Sequence, residues 1–122
     1  MVETLPLLIV EQSQDMTTML HDFFTRQQVR VQTVPSVTAA QALLARCVVR
    51  VILTDWFRPH SEGLVLLRHV RDHAPHTKVV MMAAFPSTDV QQQAVKGGAY
   101  AFIAKPFRLG RLWVVIHEAL AR

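Results

Sequence analysis

The chain has 122 residues, of which 51% are hydrophobic and 18% are charged, a balance typical of one globular domain. Its net charge of +4 comes from scattered Arg and Lys, not from a basic block interleaved with aromatics, which argues against direct nucleic-acid binding. Because no apolar run approaches the ~20 residues that span a bilayer, and the N-terminus lacks a signal peptide's pattern, we expect one cytoplasmic domain over residues 1–122 with no membrane contact.

Short apolar runs rich in branched side chains recur along the chain and predict five buried strands. Strands that are covered by helices on both faces of a parallel sheet have this continuous apolar character. The predicted strands are Leu7–Val10, Val29–Val34, Val48–Leu53, Val79–Met82 and Ala99–Ala104.

Between these runs, large apolar side chains recur at offsets of three and four, which places them on one face of an α-helix. Gly97 and Gly98 end the fourth helix, and the last helix is predicted from about Leu109 to Leu120. Ser and other capping residues precede the first, second and fourth helices. The predicted caps are Ser13 or Asp15, Ser36, and Ser87 or Thr88.

The predicted inner faces, given for the first, second, third and last helices in turn, are Met16, Met19, Leu20, Phe23 and Phe24; Ala39, Ala40, Leu43 and Leu44; Leu64, Leu67, Val70 and Arg71; and Leu112, Val115, Ile116 and Ala119.

This alternation of strand and helix predicts a (βα)5 α/β fold, a parallel sheet in a three-layer sandwich. Ligands of such sheets bind beyond the carboxyl ends of the strands. The polar residues at those ends include Glu11 with Gln12, Asp55 and Lys105. We therefore expect two carboxylates and one ammonium group to meet at a single edge of the sheet.

Three segments resemble the receiver domains of two-component response regulators. They are Leu8–Gln12, Ile52–Pro59 followed by Gly63-Leu64, and Gly98–Phe107 with its Lys-Pro-Phe ending. The resemblance covers essentially the whole chain. It implies the flavodoxin-like strand order 2-1-3-4-5 and a regulatory module, not an enzyme.

The resemblance also implies a chemistry for the polar edge. Asp55 would accept a phosphoryl group from a histidine kinase or phosphotransfer protein, and Lys105 would contact the phosphoryl oxygens. Mg²⁺ would be held by Glu11, Asp55 and the backbone carbonyl of Phe57, because hard cations take oxygen ligands. The face made by the fourth helix, fifth strand and last helix would contact an output domain or a second copy of the chain.

Two positions depart from the family pattern. Gln12 stands where a second acid is usual, so it would be a weak metal ligand and Mg²⁺ binding should be weakened. Ala83 replaces the Ser or Thr whose hydroxyl normally donates to the phosphoryl group. The switch aromatic that follows this hydroxyl would be Phe102, with a plain core role as the equal alternative. These departures leave open a pseudo-receiver, an interaction module that signals without phosphorylation.

Other residues carry weaker hypotheses. Trp56 is expected to cover the edge of the pocket, and Trp113 is either a contact residue or simple packing. The spacing of His69 and His73 permits a weak metal site, but a solvated helix face is the better interpretation. A small α/β enzyme is disfavoured because no Gly-rich phosphate loop follows the first strand.

Overall fold

The structure, a computed structural model, describes residues 3–57, 62–84 and 86–122. Strands and helices alternate along the whole of this part of the chain. The strands are β1 (Glu3–Val10), β2 (Val31–Val34), β3 (Cys47–Asp55), β4 (Lys78–Ala84) and β5 (Ala101–Lys105). The helices are α1 (Gln14–Arg26), α2 (Val37–Leu44), α3 (Glu62–His73), α4 (Thr88–Lys96) and α5 (Leu109–Ala121).

The strands form one parallel sheet in the order β2-β1-β3-β4-β5, which confirms the predicted topology. The register aligns the carboxyl ends of the central strands. Val10 pairs with Thr54, Asp55 pairs with Met82, and Ala84 pairs with Lys105. The residues that follow β1 and end β3 and β5 are thereby brought to the same edge of the sheet.

Each face of the sheet carries its own apolar core. On one side α1 and α5 pack through Leu20, Phe24, Leu112 and Ile116. On the other side α2, α3 and α4 contribute the buried residues Ala40, Leu43, Leu66, Leu67, Val70, Val90 and Ala94. The strands are therefore covered on both faces, which explains their continuous apolar sequences.

The serine caps follow the sequence prediction. The hydroxyls of Ser13, Ser36 and Ser87 accept hydrogen bonds from backbone N–H groups three residues later, at 3.3, 3.1 and 3.1 Å. Asp15 and Thr88, the alternatives, lie inside the first turns of α1 and α4. A serine at each start thus satisfies a donor that the helix itself leaves unpaired.

Two strand starts were predicted too early. Val29 does not belong to β2, because its N–H donates to Phe24 O at 3.0 Å and closes the end of α1 after Gln28, whose φ is 63°. Ala99 does not belong to β5, since Gly98 has φ 93° and the Ala99 N–H donates to Ala94 O at 3.0 Å. Both residues complete helix ends, which periodicity does not reveal.

The predicted helix faces need two corrections. Met19 is 41% exposed because α1 contacts the sheet through Leu20 and Phe24, which are fully buried. On α3 the exposed Arg71 was assigned to the inner face, whereas the fully buried Leu66 was not. Offsets of three and four fit more than one stripe on a short helix, and packing against the sheet selects among them.

Trp113 packs within the molecule. It is half-buried between α1 and α5, with its ring centroid 6.4 Å from that of Phe23 and 6.2 Å from that of Phe24. His117 stacks on it at 5.0 Å with an interplanar angle of 7°. This geometry favours the packing interpretation of Trp113 over the contact-surface interpretation.

Within residues 3–57, 62–84 and 86–122, none of the helices is long and apolar enough to cross a bilayer.

Gly63 permits a close approach between α3 and the end of β3. Its N–H donates to Trp56 O at 3.1 Å. A Cβ on Gly63 would lie 2.6 Å from the carbonyl oxygen of Asp55 and 3.0 Å from the Cα of Trp56. Both of these are backbone atoms, so a side chain at this position would have to move the segment that carries Asp55.

We expect Gly63→Ala to lower the free energy of unfolding by about 1–3 kcal/mol, the usual cost of overpacking. Gly110→Ala is the matched control, because Gly110 is likewise the second residue of its helix and a Cβ there would meet nothing within 4 Å. The control should be neutral or gain up to about 1 kcal/mol from helix propensity. Urea unfolding of both variants measures the difference, and equal stabilities would contradict the steric argument.

Candidate functional site

Glu11 is a buried carboxylate that follows β1 directly. Its side chain is only 4% exposed. Oε2 accepts the backbone N–H of Ser13 at 3.0 Å, and the main-chain oxygen of Glu11 accepts the Thr17 hydroxyl at 3.3 Å. The start of α1 therefore fixes this acid in place and leaves Oε1 directed to another partner.

Asp55 is the last residue of β3 and has a side chain 19% exposed. Its Oδ2 accepts the N–H of Phe57 at 3.1 Å. Phe57 has φ 61°, the left-handed conformation that costs roughly 1–2 kcal/mol for a residue with a Cβ. Backbone strain of this kind is often found at functional sites, where the surrounding structure holds it.

Lys105 joins the two acids. Its Nζ lies 2.8 Å from Glu11 Oε1 and 2.9 Å from Asp55 Oδ1. The lysine ends β5, and β4 lies between β5 and β3 in the sheet. Its side chain therefore has to pass over the end of β4, where Ala83 and Ala84 present only methyl groups.

The ammonium form of Lys105 is stabilised by this arrangement. Burial opposes the charge and by itself would lower the pKa. The hydrogen bonds to Glu11 and Asp55, together with the attraction of the two negative charges, outweigh burial and raise the pKa of Lys105 above its ordinary 10.5. The lysine is consequently a fixed positive charge at neutral pH.

The structure brings Glu11, Asp55 and Lys105 together, as the sequence predicted. Gln12, the predicted weak ligand, is exposed. Phe57, whose backbone carbonyl is the other predicted ligand, is buried, and its N–H donates to Asp55 Oδ2. Arg58 and Pro59, which complete the predicted motif, lie outside the described residues.

The oxygen chemistry of the edge fits a hard divalent cation. Because one nitrogen contacts both Glu11 and Asp55, two carboxylate oxygens converge within the sum of those two hydrogen-bond lengths. Among the residues that the structure describes, no third His, Cys, Asp or Glu joins these two acids in a group that could hold a metal. Within that part of the chain, the site therefore combines two carboxylates with the one ammonium of Lys105. The rings of His69 and His73 lie 4.5 Å apart and are tilted by 40°, and the described residues supply no third ligand of this kind to them.

The two predicted switch positions lie on the face covered by α2, α3 and α4. Ala83 is 1% exposed, and the half-buried Phe102 packs against the same apolar cluster. Phe102 pairs with Met81 in the sheet register. Its contacts agree with either a core or a switch role.

One contact at the site was not found from the sequence. Ser13 was predicted as a helix cap, but its N–H also orients Glu11. Trp56, which was expected to cover the edge of the pocket, is 3% exposed and lies in the core, and its N–H donates to Met82 O at 2.8 Å. An acid two residues before a capping serine was the available signal for Ser13.

Comparison with known proteins identifies the family. The sequence-family model of the response regulator receiver domain matches residues 7–117 of this chain. The chain belongs to the response regulator receiver domains. Such domains are regulatory modules of two-component signalling.

Named relatives agree with this assignment. The chain is 35% identical over 113 residues to the response regulator protein PilR of Pseudomonas aeruginosa, covering 93% of this chain and 25% of that protein. It is 29% identical over 116 residues to the nitrogen assimilation regulatory protein NtrX of Azorhizobium caulinodans, covering 93% and 26%. The receiver domain described here thus spans about a quarter of the length of these relatives.

Solved receiver structures share the fold. A crystal structure of a response regulator from Thermotoga maritima superposes with a TM-score of 0.86 at 25% identity over 100% of both chains. The solution structure of the beryllofluoride-activated NtrC4 receiver domain dimer gives a TM-score of 0.88 at 23% identity, covering 95% of this chain and 96% of that one. The second likeness concerns the fold alone.

Lys105→Met should lower the free energy of unfolding at neutral pH by about 1–3 kcal/mol, because it removes charge-assisted hydrogen bonds from two acids. Since the folded pKa lies above 10.5, this contribution is complete below pH 10.5 and is lost as pH rises through the folded pKa. Urea unfolding of both proteins between neutral and strongly alkaline pH should show the difference shrinking. The exposed Lys96→Met is the control and should cost less than about 0.5 kcal/mol. A difference that grows with pH would contradict the assignment.

Proposed function

We propose that Asp55 accepts a phosphoryl group from the phosphohistidine of a histidine kinase or phosphotransfer protein. The observation that carries this proposal is the convergence of Asp55 Oδ1 and Glu11 Oε1 on the ammonium of Lys105. The triad lies at the carboxyl edge of the sheet, where ligands of parallel sheets bind. The extent of the domain, residues 1–122, and its place in the cytoplasm belong to the same proposal.

The transfer balances as follows. One carboxylate oxygen of Asp55 forms a bond to phosphorus while the bond between phosphorus and the donor imidazole nitrogen breaks. The electron pair of that bond remains on the imidazole, which then takes a proton, and the aspartyl residue becomes an acyl phosphate. Because Lys105 already contacts Asp55, its charge is in place to stabilise the phosphoryl oxygens.

Glu11, Asp55 and the carbonyl of Phe57 are the groups that would hold Mg²⁺. When bound, this ion neutralises the negative charge that otherwise repels the incoming phosphoryl group. Gln12 brings no charge to the set and lies exposed, so we propose that the affinity for Mg²⁺ is weakened. Lys105 balances half of the charge of the two carboxylates.

We propose that phosphorylation of Asp55 changes the conformation of the face formed by α4, β5 and α5. This face would contact an output domain or a second copy of the chain, as the family resemblance implies, without direct nucleic-acid binding by the domain. Ala83 cannot donate to a phosphoryl oxygen. The missing hydrogen bond to a charged group is worth about 1.5–3 kcal/mol, a large share of a switch between two states that differ by a few kcal/mol.

That loss supports a second candidate, a pseudo-receiver that signals by binding alone. The side chain of Ala83 is a buried methyl group, 1% exposed, which offers no hydrogen-bond donor to a phosphoryl oxygen. In this alternative the contacts of Lys105 with Glu11 and Asp55 are structural, and the α4-β5-α5 face binds its partner without a phosphorylation signal. Phosphorylation of Asp55 distinguishes the two candidates.

With excess acetyl phosphate and Mg²⁺, the protein should gain the mass of one phosphoryl group, measured on the intact chain. Asp55→Asn should abolish the gain because an amide is not a nucleophile for this reaction. Asp89→Asn, at an exposed acid in the first turn of α4, is the matched control and should be modified like the original protein.

Two outcomes would decide against the first candidate. If the unsubstituted protein gains no mass at saturating acetyl phosphate and Mg²⁺, the pseudo-receiver is the correct candidate. A mass gain that persists in Asp55→Asn would place the acceptor elsewhere.

Gln12→Asp should tighten Mg²⁺ binding roughly tenfold, because an added charge beside a divalent ion is worth about 1.4 kcal/mol or more. The fluorescence of Trp56, adjacent to Asp55, reports the titration when Trp113 is replaced by Phe. Gln14→Asp adds the same charge two residues further on and should change the affinity far less. A titration that Gln12→Asp leaves unchanged would mean that this pocket does not hold the metal.

A further inference from the structure

A groove of about 250 Å³ lies between α3 and α4, on elements that carry none of the phosphoacceptor residues. We call it the basic groove because three of its lining side chains are cations. The lining residues are Leu64, Arg68, Arg71, Gln93, Lys96 and Gly97.

The charges of the basic groove are not balanced by acids. Arg68, Arg71 and Lys96 are exposed, and within the described part of the chain none of them forms a salt bridge and no acidic residue lines the groove. Arg71 and Lys96 lie in the last turns of their helices, where the helix dipole favours a cation. Arg68 lies before the last turn of α3 and lacks this stabilisation. Because three cations without acidic partners line one groove, the groove is a concentrated positive site.

The shape of the groove is set by buried neighbours. Gly97 is buried, and a Cβ there would lie 2.5 Å from Cδ2 of Leu67, so glycine allows the end of α4 to approach α3 closely. Gln93 is held in place because its Nε2 donates to Asp89 Oδ2 at 2.8 Å. The cations are thus mounted on two helices whose spacing is fixed by packing.

The dimensions of the groove narrow the class of ligand. Pockets that enclose small organic ligands usually have about 300–1,000 Å³, so this groove is too small to enclose a nucleotide. It has room for one or two carboxylates, which arginine binds through paired N–H donors. No aromatic residue lines it among the described residues, and stacking platforms are the usual means of binding single-stranded nucleic acid.

We propose that the basic groove binds an acidic segment of a partner protein, with carboxylates facing Arg68, Arg71 and Lys96. Charge complementarity carries this assignment: the chain's cations exceed its acids by four, and three cations line this one groove. The contact does not require phosphorylation of Asp55, so it provides a second binding surface in addition to the α4-β5-α5 face.

The proposal is tested on the 122-residue chain by measuring its affinity for a labelled poly-glutamate peptide through fluorescence anisotropy. The salt concentration is about 0.1 M, at which only charges close to one another remain unscreened. Arg68→Gln with Arg71→Gln should weaken binding by about tenfold or more, since both bidentate partners are lost. Arg26→Gln with Arg46→Gln removes the same charge from exposed arginines outside the groove and should change the affinity less than about twofold. Lys96→Gln is a second groove variant in case the arginine pair unfolds, which circular dichroism checks.

Three results would overturn the proposal. The first is that the original protein does not bind the peptide. The second is that the groove and control variants weaken binding equally, which would indicate general charge attraction. The third is that a labelled DNA duplex binds more tightly than the peptide and loses affinity in the groove variants, which would assign the basic groove to nucleic acid.

Discussion

The contact of one ammonium with two carboxylates is the interaction on which the carboxyl edge of this domain depends. Lys105 Nζ lies 2.8 Å from Glu11 Oε1 and 2.9 Å from Asp55 Oδ1, and Glu11 and Lys105 are 94 residues apart in the chain. Two carboxylates this close repel each other unless a cation lies between them. The last strand, β5, therefore supplies the positive charge of Lys105, which allows Glu11 after β1 and Asp55 at the end of β3 to lie close together.

The packing around the edge is adapted to this contact. Lys105 reaches β3 across the end of β4, where Ala83 and Ala84 are small. Gly63 lets α3 approach the carbonyl of Asp55, and the left-handed Phe57 turns its N–H to the Asp55 carboxylate. These features leave Asp55 partly accessible while holding it from both sides. The nucleophile proposed for this site would need this combination of fixed position and access to a donor.

The departures from the family pattern would act at different steps of the proposed phosphorylation. The exposed Gln12 would reduce the charge available to a metal, whereas the buried Ala83 would weaken the conformational response to a phosphoryl group. Neither alters the triad of Glu11, Asp55 and Lys105. The basic groove lies on α3 and α4, so a partner bound there would contact the layer that also covers Ala83 and Phe102. The proposed acceptance of a phosphoryl group and the proposed binding of an acidic partner therefore use different residues of this domain.

The alternation of strands and helices, the serine caps and the positions of Glu11, Asp55 and Lys105 at strand ends could all be predicted from the sequence. They depend on local patterns and on the rule that parallel strands share one carboxyl edge. The buried stripe of each helix could not be predicted in this way, as Met19 and Leu66 show, because several stripes fit one spacing on a short helix and packing against the sheet selects among them. Packing also brings three cations from α3 and α4 together around the basic groove. Contacts between elements distant in sequence leave no periodic signal, so only packing reveals them.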